Sequence, residues 1–185
     1  MRLFIAEKPS LGLAVAQAIG IKEKGRGYIE CNNGDRVTWA IGHLLQQYTP
    51  DDYDIALKKW NEQDLPIIPE QWKMKVSSKT KDQFKIVKDL IKEAKILVNV
   101  GDPDREGQLI IDEIFQYCNA SQPIKRVLIS DLNLAPVKKA LSKIQDNDIT
   151  VKLGHSALAR GRADWLVGMN LTRAFTLAGR KAGLD

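Results

Sequence analysis

Ile96-Leu97-Val98-Asn99-Val100, followed at once by Gly101-Asp102-Pro103-Asp104-Arg105-Glu106-Gly107, is the stretch on which the fold turns. A continuous run this apolar reads as a strand buried on both faces, and such strands belong in parallel sheets. Gly101 opens a turn, and Glu106 to Tyr117 has the spacing of a helix. Upstream, Ser78 to Lys95 places Phe84, Ile86, Val87, Leu90, Ile91 and Ala94 on one face of an amphipathic helix. Helix, buried strand, turn and helix together predict an α/β domain.

The N-terminus repeats the unit. Leu3-Phe4-Ile5-Ala6 is a short apolar strand that ends at Glu7-Lys8-Pro9-Ser10. Pro9 cannot donate to a sheet ladder, and Ser10 can cap a helix carrying Leu11, Ala14, Val15, Ala18 and Ile19 as far as Gly20. A hairpin follows, with Tyr28 to Cys31 and Arg36 to Ile41 flanking the turn residues Asn32-Asn33-Gly34-Asp35. From Gly42 to Lys75 the pattern is irregular, punctuated by Pro50, Pro66 and Pro69 and holding Tyr48, Tyr53, Trp60 and Trp72. Beyond the central unit, Val127-Leu128-Ile129 predicts a third core strand and Leu134 to Ile144 another helix, with Pro136 tolerated in its first turn. After Asp146-Asn147-Asp148 the pattern is helical, with no further strand. The expectation is therefore an α/β domain over residues 1–148, a mainly parallel sheet flanked by helices, and the start of an all-α domain over 149–185.

Composition narrows the function classes. At 185 residues and 44% hydrophobic the chain can bury a core, which excludes a wholly disordered protein. No run of about 18 apolar residues is present to span a membrane. The two cysteines, Cys31 and Cys118, lie outside any C-x-x-C spacing, which excludes a zinc ribbon and fits a reducing cytoplasm. A net charge of +5 permits a polyanionic partner.

The chemistry concentrates after the buried strand. Residues two apart on an extended segment point to one side, so Asp102, Asp104 and Glu106 converge if the chain stays extended before its helix. Crowded carboxylates repel, and a divalent cation relieves them; hard oxygen ligands without His or Cys favour Mg²⁺. The bare D-x-D-x-E pattern equally suits an acidic helix N-terminus stabilised by the macrodipole. Position adds information, because open parallel sheets bind ligands at the carboxyl ends of their strands. Glu7-Lys8 and Asp102-Asp104 both stand at such ends. If the strands are neighbours, Glu7 is placed for proton transfer and Lys8 for holding a phosphate.

A strand ending in Glu7-Lys8-Pro9-Ser10 and another ending in Gly101-Asp102-Pro103-Asp104-Arg105-Glu106-Gly107 resemble the Toprim domain of type IA DNA topoisomerases, the bacterial topoisomerase III branch in particular. Ile41-Gly42-His43-Leu44-Leu45 and the segment from Ser156 to Asn170 also resemble that family. The resemblance implies a Toprim fold and Mg²⁺-dependent cleavage, passage and religation of single-stranded DNA. Glu7, Lys8 and Arg160 then match catalytic positions, and Glu7, Asp102, Asp104 and Glu106 match the metal site. Arg160 and Asp164 match the start of the helical domain beside the cleavage site, though at four residues apart they also form an ordinary helix-surface ion pair. Arg162, Arg173 and Arg180 make the same segment basic, a candidate track for a single strand together with Lys8, and Trp60 and Trp165 are candidate stacking platforms. His43 reads as a structural histidine within a family motif.

Type IA enzymes use a tyrosine from a later domain as nucleophile. Tyr28, Tyr48, Tyr53 and Tyr117 match no such motif, so the resemblance implies the N-terminal portion of a topoisomerase, completed by its remaining domains and inactive alone in relaxation. Two other readings use the same residues. One is a stand-alone Toprim nuclease or primase-like phosphotransferase. The other is a single-strand-binding module without catalysis.

Overall fold

The computed structural model describes residues 1–184, which divide into two compact units. The first comprises Met1–Leu45 and Val76–Ala157. The second joins residues from Gln46 to Lys75 with the chain from Leu158 onward.

The first unit is built on a seven-stranded mixed sheet. Its strands are β1 (Arg2–Ala6), β2 (Ile21–Gly25), β3 (Tyr28–Cys31), β4 (Arg36–Trp39), β7 (Ile96–Val100), β8 (Ile124–Arg126) and β9 (Gln145–Asp146). The order is β2-β3-β4-β1-β7-β8-β9. The four central strands β4, β1, β7 and β8 run parallel, and the antiparallel partners lie at the edges. Helices α1 (Pro9–Ile19), α3 (Lys81–Glu93) and α4 (Arg105–Tyr117) supply the crossovers that parallel neighbours require, and α5 (Leu134–Leu141) joins β8 to the antiparallel β9.

Strand alternation divides the core. Phe4, Ala6, Val98 and Val100 face α1 and α5, where they bury Leu11, Val15 and Val137. Leu3, Ile5, Leu97 and Asn99 point the other way, toward α3 and α4, whose Phe84 and Tyr117 rings meet edge to face at 5.5 Å. Burial of the central strands on both faces explains why they read as unbroken apolar runs.

Three local differences from the sequence reading have physical causes. Helix α1 begins at Pro9 rather than after Ser10, because a proline at the first helical position lacks only an N–H that would be unpaired anyway. The third core strand pairs through Ile124–Arg126 instead of Val127-Leu128-Ile129. Val127 and Ile129 are nevertheless buried, while Leu128 is exposed. Strand β2, with the pattern Ile-Lys-Glu-Lys-Gly, forms by antiparallel pairing at a solvated edge and carries no apolar signature.

The second unit contains most of the irregular segment. Strands β5 (Leu45–Gln47) and β6 (Met74–Val76) pair as a small sheet, followed in space by the one-turn helix α2 (Pro50–Tyr53) with its Thr49–Asp52 capping box. Helix α6 (Val151–Lys181) contributes its residues from Leu158 onward. Trp165 is the anchor. It is buried, its Nε1–H donates to the Tyr48 carbonyl at 2.9 Å, and the Tyr53 and Trp72 rings pack against it edge-on. Asn170 clamps Ile67 by donating to its carbonyl and accepting from its amide. Among the described residues no helix is long and apolar enough to cross a membrane.

Leu97 is fully buried between the sheet and its helices. The Leu97→Ala variant is expected to lose about 2–5 kcal/mol of stability, read as a lower urea midpoint at unchanged slope.

Candidate functional site

The register of the central strands assembles the site. Ala6 pairs with Trp39 of β4 on one side and with Val100 of β7 on the other. Glu7 and Gly101 therefore leave the sheet side by side. The Glu7 amide donates to the Val100 carbonyl at 3.2 Å, and the Glu7 carboxylate Oε2 accepts the Asp102 amide at 2.9 Å. Lys8 Nζ donates to Asp102 Oδ2 at 2.6 Å. This hydrogen bond raises the Lys8 pKa above its ordinary value against a desolvation penalty, with the charges of Asp102, Glu7 and Asp104 adding to the rise.

Such a close approach requires glycine at two positions. A Cβ on Gly101 would stand 1.9 Å from the Gly107 carbonyl oxygen. One on Gly107 would stand 2.4 Å from the Asp102 amide and 2.7 Å from Glu7 Oε2. The loop thus folds back on its own helix and presses against Glu7.

Extended alternation ends at Asp104. That residue is the N-cap of α4, its Oδ1 accepting the Gly107 amide at 2.7 Å, and Glu106 already lies in the first helical turn. Glu106 sits 4.0 Å from the Arg105 side chain. The acidic helix N-terminus accounts for Asp104 and Glu106. It does not account for Glu7 and Asp102, which come from strand ends. Among the described residues no three His, Cys, Asp or Glu side chains gather closely enough to hold a metal ion. The donor set still fits Mg²⁺, which needs only one or two carboxylates and completes its shell with water and phosphate oxygens. Glu7, Asp102, Asp104 and Glu106 offer hard oxygen donors only, at the edge of a loop already tied to Glu7.

A buried arginine supports the loop from below. Arg126, on β8, is 1% exposed, and its guanidinium donates to the carbonyls of Asn99, Gly101 and Val127 and, through Nη2, to that of Asp102 at 2.8 Å. Burial pushes its pKa down to about 10, partly countered by Asp112, Asp104, Glu7 and Asp102. Asn99 completes the support: its Oδ1 accepts the Gly101 amide at 2.9 Å and its Nδ2 donates to Asp112 Oδ1 at 3.0 Å. Asp112 also accepts from Gln108 and Asn147, so this carboxylate is held by three amide side chains. Sequence reasoning missed both groups. Asn99 left a trace, as the lone polar residue in an otherwise apolar strand. Arg126 left none, since a Lys-Arg pair normally reads as exposed.

His43 lies beside this unit's edge with Nδ1 3.9 Å from Glu113 Oε2. The Glu113 carboxylate raises its pKa above the ordinary 6.5, burial opposes, and Glu106 and Glu7 contribute further.

The remaining candidates belong to the second unit. Arg160 pairs with Asp164 at 3.6 Å on the exposed face of α6. Arg162 lies over the Trp72 ring, its guanidinium carbon 5.3 Å from the centroid. Arg173 is buried, donates to the Leu57 carbonyl at 2.8 Å and covers Trp60 at 5.1 Å. Trp165 and Arg173 are thus packing elements of the unit. Trp60 and Arg180 line a hollow of about 520 Å³ with Lys181, which pairs with Glu62 at 2.5 Å.

The sequence matches the Toprim domain family over residues 2–132. It is 54% identical to DNA topoisomerase 3 of Vibrio cholerae over 98% of the chain, and 52% identical to that of Haemophilus influenzae over 100%. DNA topoisomerase 3 of Staphylococcus aureus is 42% identical over 94%. The chain spans about 29% of the length of the first two relatives and about 25% of the third. Among solved structures, full-length topoisomerase I of Thermotoga maritima superposes with a TM-score of 0.59 at 18% identity, over 89% of this chain and 24% of that one, a likeness of fold.

Replacing Arg126 by Met removes the donor to the buried Gly101 carbonyl and leaves the Asp102 and Asn99 carbonyls with the Asp104 and Val127 amides alone. The expected loss is about 3 kcal/mol or more by urea denaturation, with Arg126→Lys intermediate because an ammonium cannot reach all four carbonyls. His43 gives a pH signature. A pKa raised on folding contributes stability that is complete below the unfolded value of 6.5 and is lost as pH rises through the folded value. Melting temperatures between pH 6 and 8 are expected to show that decline in the parent and to lose it in His43→Gln.

Proposed function

The chain belongs to the Toprim family, and from that membership we propose that it forms the Mg²⁺-binding half of a type IA topoisomerase active site, of the topoisomerase III kind. In this reading the whole enzyme transiently cleaves single-stranded DNA, passes a strand and reseals, with a tyrosine nucleophile outside these residues. The observation that carries it is the junction of two strand ends, where Glu7 accepts the Asp102 amide and Lys8 meets the Asp102 carboxylate. A structural acidic cap on α4 would not draw in the residues that follow β1.

The roles follow from the contacts. Glu7 Oε2 is committed to the Asp102 amide, which fixes the carboxyl group and leaves Oε1 to exchange a proton with substrate. As the tyrosine oxygen bonds to phosphorus its proton passes to water, and as the P–O3′ bond breaks Glu7 Oε1 hands a proton to the leaving 3′-oxygen; resealing reverses both transfers. Lys8 is half-exposed and holds one hydrogen bond, so its ammonium has donors left for a phosphate oxygen. Asp102 and Asp104, with Glu106 and Glu7 beside them, would hold Mg²⁺, which supplies positive charge to phosphate oxygens when bound. Arg126 and Asn99 keep the loop at fixed height under these groups. Arg160, exposed on α6, matches the position that the family resemblance assigns to an arginine contacting the scissile phosphate, and Arg162, over Trp72, and Arg180 add positive charge to the same unit for single-stranded DNA.

The test is a chimera in which this chain replaces the matching segment of Vibrio cholerae DNA topoisomerase 3. It is expected to relax negatively supercoiled plasmid with Mg²⁺, and Glu7→Gln or Asp102→Asn to slow relaxation by about 100-fold or more. A folded chimera in which those substitutions leave the rate intact would overturn the assignment. The 185-residue chain alone is expected to relax nothing.

A further inference from the structure

Helix α3 carries a run of positive charge that the roles above leave unused. Lys81, Lys85 and Lys88 recur at helical spacing along one exposed face, and Lys79 stands just before the helix. The acids of the same helix are already matched: Asp82 with Arg26 at 3.4 Å, Asp89 with Lys92 at 2.9 Å, and Glu93 with Arg36 at 2.6 Å. Among the described residues Lys79, Lys81, Lys85 and Lys88 have no ion-pair partner. Like charges at this spacing repel one another, a repulsion eased for Lys85 and Lys88 by Asp89, whose pKa the Lys92 hydrogen bond and then their charges lower, and an anion laid over the face would ease it further.

Position selects the anion. The Gln83 side chain donates to the carbonyl of Trp39 at 2.8 Å and to that of Gly27 at 3.1 Å, and Thr80 donates to the Leu44 carbonyl at 3.3 Å. These bonds pin the start of α3 to the carboxyl end of β4. Trp39 is register partner of Ala6, and Ala6 of Val100, so Lys79 and Lys81 stand at the same edge of the sheet as Glu7 and Asp102, and Lys85 and Lys88 continue from there along α3 toward the opposite edge, where Glu93 meets Arg36. A hollow of about 380 Å³ opens beside the first two lysines, lined in part by Arg26, Gly27, Lys79, Thr80 and Lys81.

We propose that Lys79, Lys81, Lys85 and Lys88 form a second phosphate-backbone contact for single-stranded DNA, a track that begins at the sheet edge carrying the acidic loop and runs away from it along α3. The proposal rests on the reading of that loop as a DNA-cleaving half-site. Lys81 to Lys88 span about 10 Å of helix, room for roughly three phosphates of a stacked strand. No base-specific contact is implied, because ammonium groups on flexible stems read charge and not sequence.

Fluorescence anisotropy of a labelled 20-nucleotide single strand, titrated with the whole chain from 50 to 200 mM salt, tests it. The variant Lys79→Ala/Lys81→Ala/Lys85→Ala is expected to bind about tenfold more weakly at 0.1 M salt, with the slope of log K against log salt shallower by about 2. Lys138→Ala/Lys139→Ala/Lys143→Ala removes equal charge from exposed lysines on and just past α5, and is expected to keep the parent slope. Equal slopes for the parent and the α3 variant would overturn the inference and leave the cleft reading standing. So would equal losses in both variants, which would mark a general charge effect. A parent chain that binds the strand no better than serum albumin would overturn the inference and leave the cleft reading to the chimera. All of these lysines are exposed, and equal melting temperatures for the three proteins verify that folding is not being measured.

Discussion

The pairing of β1 with β7 is the constraint from which the rest of the site descends. Because Ala6 and Val100 are register partners, Glu7 and Gly101 leave the sheet together, and the Asp102 amide meets a carboxylate from another strand. A slip of one residue would turn Phe4 and Ile5 to the wrong faces, so the same burial that stabilises the sheet fixes the chemistry at its end. Gly101 and Gly107 then allow a contact that any side chain would prevent.

Polar groups beneath the loop make that geometry stiff at some cost in stability. Arg126 is charged and almost wholly enclosed, and Asp112 is a buried carboxylate with only neutral donors around it. Neither is the cheapest way to fill a core. Each is tied to the site: the arginine's terminal nitrogens donate to loop carbonyls while its Nε stays buried without a partner among the described residues, and the carboxylate accepts from the Asn99 side chain that also receives the Gly101 amide. Rigidity of the loop and desolvation of these charges are one arrangement seen from two sides.

What was legible followed from chemistry that acts locally. The apolar runs at Leu3–Ala6 and Ile96–Val100, the proline after Glu7-Lys8, the glycines of the acidic loop and the helical spacing of α3 and α4 are properties of neighbouring residues, and the fold follows them. The parts not legible depend on distant partners. Strand β2 exists because β3 is beside it, and β8 pairs through Lys125 and Arg126 because of its place against β7. The role of Arg126 exists only once the Gly101-Asp102 carbonyls lie overhead. Trp165 and Arg173, candidate DNA contacts on sequence alone, take their burial from Tyr48, Tyr53, Trp72, Leu57 and Trp60, residues about a hundred positions away.

That last separation has a consequence for how the chain is made. The second unit consists of residues 46–75 and a helical segment that begins at Leu158, with about eighty residues of the first unit between them. On the ribosome the aromatic cluster around Tyr53 and Trp72 emerges early and must wait, uncovered, until Trp165 is synthesised. At roughly 5–20 residues per second that interval lasts several seconds, long compared with hydrophobic collapse. The first unit can close its sheet during the wait. Vectorial synthesis therefore favours an order in which the acidic loop is framed before the unit bearing Arg160 acquires its core.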